Sequence, residues 1–111
     1  MNLFLMLLIA HVIADYALQG PFLAMAKNRT EEVVGVPWYE AMLVHCLTHG
    51  AFVALLTGSI WLGLAELALH FLIDDAKCRG KLSFAEDQNL HLLCKLLWVA
   101  LAVDPHLGPF A

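Results

Sequence analysis

Four long apolar segments, at about residues 2–19, 38–56, 60–76 and 84–103, dominate the pattern of the chain. Each approaches the roughly 20 residues that carry a helix across a bilayer, where every backbone N–H and C=O must be satisfied within the segment. The boundaries carry helix signals. Gly20-Pro21 interrupts the first segment, and Pro37 precedes the second where a helix start tolerates it. Thr57-Gly58-Ser59 makes a tight connection to the third, and Gly80 follows the third at a C-terminal position. Ser83 to Glu86 reads SFAE, a capping box opening the fourth, which Asp104-Pro105 closes. Connections this short join antiparallel neighbours, so the pattern predicts an all-α, up-and-down four-helix bundle forming one domain over residues 1–111.

Composition moves this bundle from water into lipid. Hydrophobic residues make up 61% of the 111 and charged residues 14%, far to the apolar side of an average soluble domain. The expectation is an integral membrane protein. Six Lys+Arg in total, with no basic stripe, argue against a nucleic-acid partner. Cys46, Cys78 and Cys94 are odd in number and lack CxxC spacing, which disfavours a disulfide framework or a thiolate zinc site. The first segment lacks a basic n-region and a small-x-small cleavage pattern, and it carries His11 and Asp15, so it reads as a retained helix rather than a signal peptide.

Basic residues orient the bundle. Lys27 and Arg29 lie between the first and second segments, and Lys77, Arg79 and Lys81 between the third and fourth. The positive-inside rule makes that side cytoplasmic, with both termini outside, in an inner-membrane protein. Trp38 then falls at the cytoplasmic boundary, with Trp61 and Trp98 near the opposite one as part of an aromatic belt.

Against this apolar background the polar residues form a second pattern. The first segment carries His11 and Asp15, the second His45 and His49, the third His70 and Asp74, and the fourth Asp87 and His91. Each pair is spaced i,i+4, which puts both side chains on one helix face. With alternating helix directions, all four pairs reach one level, nearer the cytoplasmic side. Polar residues in membrane helices also serve simply to hydrogen-bond neighbouring helices, at roughly 0.6 kcal/mol per contact. Eight ionisable residues in one layer, each charge costing on the order of 3 kcal/mol on insertion scales, favour a functional site over that reading.

Five imidazoles and three carboxylates are ligands for zinc, and also for iron or manganese. The eight residues His11, Asp15, His45, His49, His70, Asp74, Asp87 and His91 suffice for one or two ions. Gln19, Gln88 and Glu66 are placed to orient the histidines, with a plain Glu66–Lys95 pair as the simpler role for Glu66. Asp15 or Asp87 is the candidate general base toward water, and Lys27 and Arg29 the groups that neutralise a phosphate.

The motifs HVIADYALQ, HCLTH, HFLID and DQNLH, with Lys27 after the first, resemble in order and spacing the bacterial and phage membrane-protein family catalogued as domain of unknown function 3307. The resemblance covers nearly the whole chain and implies a small integral membrane protein, with no activity attached. More loosely, a bundle with His and Asp pairs is similar to inner-membrane metal-dependent hydrolases.

The resulting expectation is a metal-dependent membrane hydrolase acting on a lipid-like or phosphoester substrate at the cytoplasmic interface. The alternatives are a transporter or channel for a divalent cation or protons, a His-rich di-iron oxidase, and a small structural or regulatory subunit of a larger complex. A conducting pathway needs polar residues through the whole depth, whereas the outer halves read LFLMLL, FVALL, IWLGL and LLWVALAV. Membrane lipid is the expected partner. A homo-oligomer is a further one, with Gly50, Gly58 and Gly63 as close-packing points.

Overall fold

In a computed structural model, which describes residues 2–31 and 33–106, the helix ends fall where local chemistry places them. Helix α1 (Leu3–Val12) starts at Asn2, whose side chain accepts the Leu5 N–H, and continues into a π-helical turn (Ile13–Ala17). Helix α2 (Gly20–Ala26) follows, and then three long helices: α3 (Trp38–Thr57), α4 (Ile60–Cys78) and α5 (Phe84–Leu101). Among the described residues there are no β-strands, only an isolated bridge between Val33 and Val36. The expected placement of the two chain ends concerns Met1 and residues 107–111, which lie outside the described residues.

The caps explain the boundaries. Gly58 ends α3 at φ 73°, a left-handed conformation that side chains with a Cβ resist, and Ser59 then accepts the Leu62 N–H to start α4. The capping box predicted at SFAE is present: Ser83 accepts from the Glu86 N–H, and Glu86 accepts from the Ser83 N–H. The first segment departs from expectation. Instead of one helix to residue 19 it widens at Ile13 into the π turn, in which the Leu18 N–H reaches back five residues to the Ile13 carbonyl. It then breaks, and α2 leaves at 86° to the preceding helix. Gly20 takes φ 67° at the break, and Pro21, which has no N–H to donate, sits in the first turn of α2 where none is needed.

Helix α1 packs between α3 and α5, α4 packs between α3 and α5 on the opposite side, and α2 lies against α3. The α3–α4 contact is the most intimate because Gly50 and Gly63 face each other. A Cβ on Gly63 would lie 2.7 Å from the Gly50 carbonyl oxygen, and one on Gly50 would lie 2.7 Å from that of Gly63. Two of the glycines expected at an oligomer contact are thus used inside the protomer, and the third is the α3 cap.

The interior has two zones. Leu7, Val53, Leu62 and Trp98 form an apolar cluster toward the end that carries the α3–α4 turn. Toward the other end the interior is polar. Trp98 is a core residue here, 2% exposed, not a rim residue as a belt would require, because its indole N–H is drawn inward to Glu66. Among the described residues only α3 is by itself long and apolar enough to cross a membrane; the α1 segment and α2 reach that measure together but are bent at their break.

Candidate metal centre

Each long segment delivers its pair to the polar zone. His11 comes from α1, Asp15 from the π turn, His45 and His49 from α3, His70 and Asp74 from α4, and Asp87 and His91 from α5. All five imidazoles are buried. His70 is stacked between His49, at 3.7 Å between ring centroids, and His91, at 4.1 Å. His45 lies 5.0 Å from His70, and His11 lies 5.2 Å from both His49 and His91.

The focus of this layer is one oxygen. Asp15 Oδ1 lies 2.9 Å from His49 Nε2, 3.2 Å from His45 Nε2 and 3.9 Å from His70 Nε2, while His45 and His70 bring their Nε2 atoms within 3.2 Å of each other. One donor atom from each of Asp15, His45, His49 and His70 lies within 4.8 Å of all the others. Metal–ligand bonds of about 2.0–2.1 Å at tetrahedral angles put neighbouring donors about 3.3 Å apart. The observed separations bracket that value, so the donor chemistry and the spacing both fit one tetrahedral ion.

The surroundings hold these donors in place. Asp15 Oδ2 faces Gln88 Nε2 and His11 Nε2, each at 3.3 Å, so Oδ1 is left for the cluster. Gln88 also accepts from His11 Nε2 at 3.1 Å and donates to Asp87 Oδ2 at 3.0 Å. Gln19 donates from Nε2 to the Asp15 backbone carbonyl, which steadies the π turn, rather than to a histidine. Glu66 takes Lys95 Nζ at 2.7 Å and His70 Nδ1 at 3.2 Å on one oxygen, and the Trp98 indole on the other. With donors on both oxygens Glu66 is an acceptor only, so His70 carries its proton on Nδ1 and turns a lone pair on Nε2 toward the cluster.

The remaining predicted residues stand outside the four-donor set. Asp74 is ion-paired with Lys27 through Oδ2, which also lies 3.4 Å from His45 Nε2. Asp87 pairs with His91, whose Nε2 is 3.3 Å from Oδ1. His91 can also be grouped with Glu66 and His70 within 4.8 Å, but Lys95 already supplies a cation to that group. Lys27 is buried on Asp74, and Arg29 is fixed by a bidentate pair with Asp75 at 2.8 Å and by the Trp38 ring, 4.1 Å below its guanidinium. Among buried polar atoms, His11 Nδ1, His91 Nδ1, Asp87 Oδ1 and Gln19 Oε1 have no hydrogen-bond partner among the described residues.

Asp75, Lys77 and the Trp98 indole were not legible as part of the site. Asp75 shares no i,i+4 row with a histidine, Lys77 reads as one of several loop cations, and Trp98 reads as a rim residue. The available signal was the row Glu66, His70, Asp74, which extends by one more turn to Cys78 and brings Lys77 alongside.

No curated protein and no solved structure matches the chain significantly. The profile of the family described as Protein of unknown function (DUF3307) matches residues 3–106, the stretch that supplies every side chain of the polar layer. On a match of that length, the chain belongs to the DUF3307 family.

Proposed function

We propose that the protein is a small integral membrane protein, an up-and-down four-helix bundle of the inner membrane, that binds one divalent metal ion and hydrolyses a lipid-like or phosphoester substrate at the cytoplasmic face. Zinc is the first candidate, with iron or manganese as the other ions this donor set suits. The observation that carries the reading is the convergence of Asp15 Oδ1 with Nε2 of His45, His49 and His70 at tetrahedral donor spacing.

Reversed polarity supports the membrane part. Twelve polar or charged residues are buried among the described residues against eleven apolar ones, while Leu5, Ile9, Leu47, Leu55, Leu72 and Leu93 face outward. A surface of that kind is costly in water and suits lipid. The charges that lower the hydropathy of α4 and α5 include Glu66, Asp74, Asp75, Asp87 and Lys95, all buried, so these charges are kept off the outward faces. Taking such groups out of solvent is expensive unless they are paired or coordinate metal.

A divalent ion held by these four donors would polarise a phosphoryl oxygen and acidify water on expanding from four to five ligands. The protein supplies the rest. Asp15 is the carboxylate that both faces the donor set and lines the polar cavity leading in from the surface. Asp87 sits behind Gln88, whose amide joins the two acids, so Asp15 is the better placed of the two to take a proton from water, on Oδ2, the oxygen outside the donor set. On the far side the Leu7, Val53, Leu62 and Trp98 cluster closes the interior with apolar side chains. That favours a site open at one end over a conducting pathway.

The test is metal content by elemental mass spectrometry on protein purified in detergent without chelators, beside a His45→Ala/His49→Ala variant, with phosphoester hydrolysis assayed on both. About one ion per chain in the wild type, lost together with hydrolysis in the variant, is the expected result for a mononuclear site. Wild-type protein without metal sinks the reading; metal with cation flux into liposomes and no hydrolysis replaces it by transport.

A further inference from the structure

Resting on the metal site above, we infer that Lys77 forms an anion-binding subsite at the mouth of that site, and that the group it takes is a phosphate. A polar cavity of about 120 Å³ lies between the π turn, the end of α2, α4 and α5, lined by Asp15, Gln19, Lys27, Lys77 and Gln88. Asp15, 13% exposed, is its link to the donor set. The volume is far below the roughly 300–1,000 Å³ of pockets that enclose whole drug-sized ligands, so the cavity admits one end of a substrate and not its bulk.

Of the five basic residues at this end of the molecule, Lys27 and Lys77 line the cavity, while Arg29 and Arg79 are paired with Asp75. Lys27 is buried on Asp74, and Arg29 is held by both oxygens of Asp75. Lys77 is different. Its contact with Asp74 Oδ1 is 3.5 Å, beyond ordinary hydrogen-bond length, and its side chain is 29% exposed and borders the cavity. Its ammonium donors are therefore the ones left for a ligand. Asp74 is shared with Lys27 and does not cancel both lysines. A divalent ion would outweigh Asp15, and Asp87, the other acid near Lys77, is taken up by Gln88 and His91, so the loaded cavity would offer a cation at each end and select an anion able to bridge them.

Phosphate fits that requirement, with several acceptor oxygens and a charge of about −1.5 to −2 as a monoester. The rim adds a second selection. The rings of Tyr16 and Phe84 also line the cavity and stand more than half exposed, as aromatic residues do where an apolar chain meets a polar head. A phosphate head on an apolar tail would seat its head between Lys77 and Asp15 and lay its tail across these rings.

The experiment measures binding of inorganic phosphate to detergent-purified, zinc-loaded protein by calorimetry, in the wild type, Lys77→Gln and Lys77→Arg, with zinc content determined on each sample. Removing one charge-assisted contact should weaken phosphate binding by about tenfold or more in Lys77→Gln, with Lys77→Arg largely retaining it and zinc unchanged in all three. Equal phosphate affinity in the wild type and Lys77→Gln, or no binding to the wild type, overturns the assignment. Lys77-dependent binding without stoichiometric zinc upholds the subsite and removes the metal reading, while zinc with Lys77-independent binding does the reverse. A parallel titration with short-chain phosphatidic acid separates the sources: tighter Lys77-dependent binding than inorganic phosphate identifies a lipid head, and equal binding identifies the free ion, the subsite standing in either case.

Discussion

Glu66 decides which nitrogen of His70 carries the proton. Its Oε1 lies 3.2 Å from His70 Nδ1, while His70 Nε2 on the far side of the ring lies 3.2 Å from His45 Nε2. A carboxylate with donors on both oxygens can only accept, so the lone pair of His70 points into the donor set.

Replacing Glu66 by Gln should therefore weaken metal binding by about 10–100-fold without abolishing it, the usual effect of losing an outer partner of a ligating histidine. The same change leaves Lys95 buried beside a neutral amide, which costs stability by itself. A Glu66→Gln/Lys95→Met double variant separates the two, recovering thermal stability while its metal affinity, read by chelator competition, stays low. Wild-type affinity in both variants would refute the positioning role.

Asp15 and Asp87 are equivalent in the one-dimensional pattern and different in space. Asp15 Oδ1 touches two Nε2 atoms of the donor set, whereas Asp87 contacts His91 and Gln88. Asp15→Asn is expected to lose metal more completely than Glu66→Gln does, and Asp87→Asn to retain it. Elemental analysis of the two Asn variants side by side checks the ranking; equal loss would mean the centre extends to α5.

Gly63 faces the Gly50 carbonyl with no room for a methyl group. The obstacle is backbone, which cannot rotate away, so Gly63→Val should destabilise the protein by about 1–3 kcal/mol or more, as overpacking does. The drop should appear in the thermal unfolding midpoint in detergent, with oligomeric state by light scattering unchanged. A change in stoichiometry without loss of stability would place this glycine at an interface between protomers instead.

Asp75 binds Arg29 through two hydrogen bonds and approaches Arg79 at 3.3 Å, which ties the segment after α2 to the end of α4. Arg29 is partly exposed, so the pair contributes little to global stability. Its loss should instead act locally: Asp75→Ala is expected to speed tryptic cleavage after Arg29 several-fold with almost no shift in the unfolding midpoint. An unchanged cleavage rate would show that the Trp38 stack alone holds the segment.

The residue order alone carries a good deal of this. The apolar runs, the SFAE capping box and Gly58 mark out α3, α4 and α5 to within two residues, because caps and turns are local chemistry between near neighbours. The i,i+4 spacing of the His and Asp pairs likewise puts each pair on one face of its own helix. Three features belong to the packed chain. The π turn that carries Asp15 depends on a choice between i+4 and i+5 hydrogen bonds that no residue type in IADYA dictates. The division of eight candidate ligands into a four-donor set and a surrounding layer depends on angles between helices, which change distances by ångströms while leaving every sequence interval the same. The fate of the cations is of the same kind: Lys27 and Arg29 are held by direct hydrogen bonds and Lys77 only by a 3.5 Å contact, because Asp74 and Asp75, adjacent in sequence, turn to different partners across the fold. Local periodicity fixes which face a side chain occupies; which other side chains it meets there is a property of the three-dimensional packing.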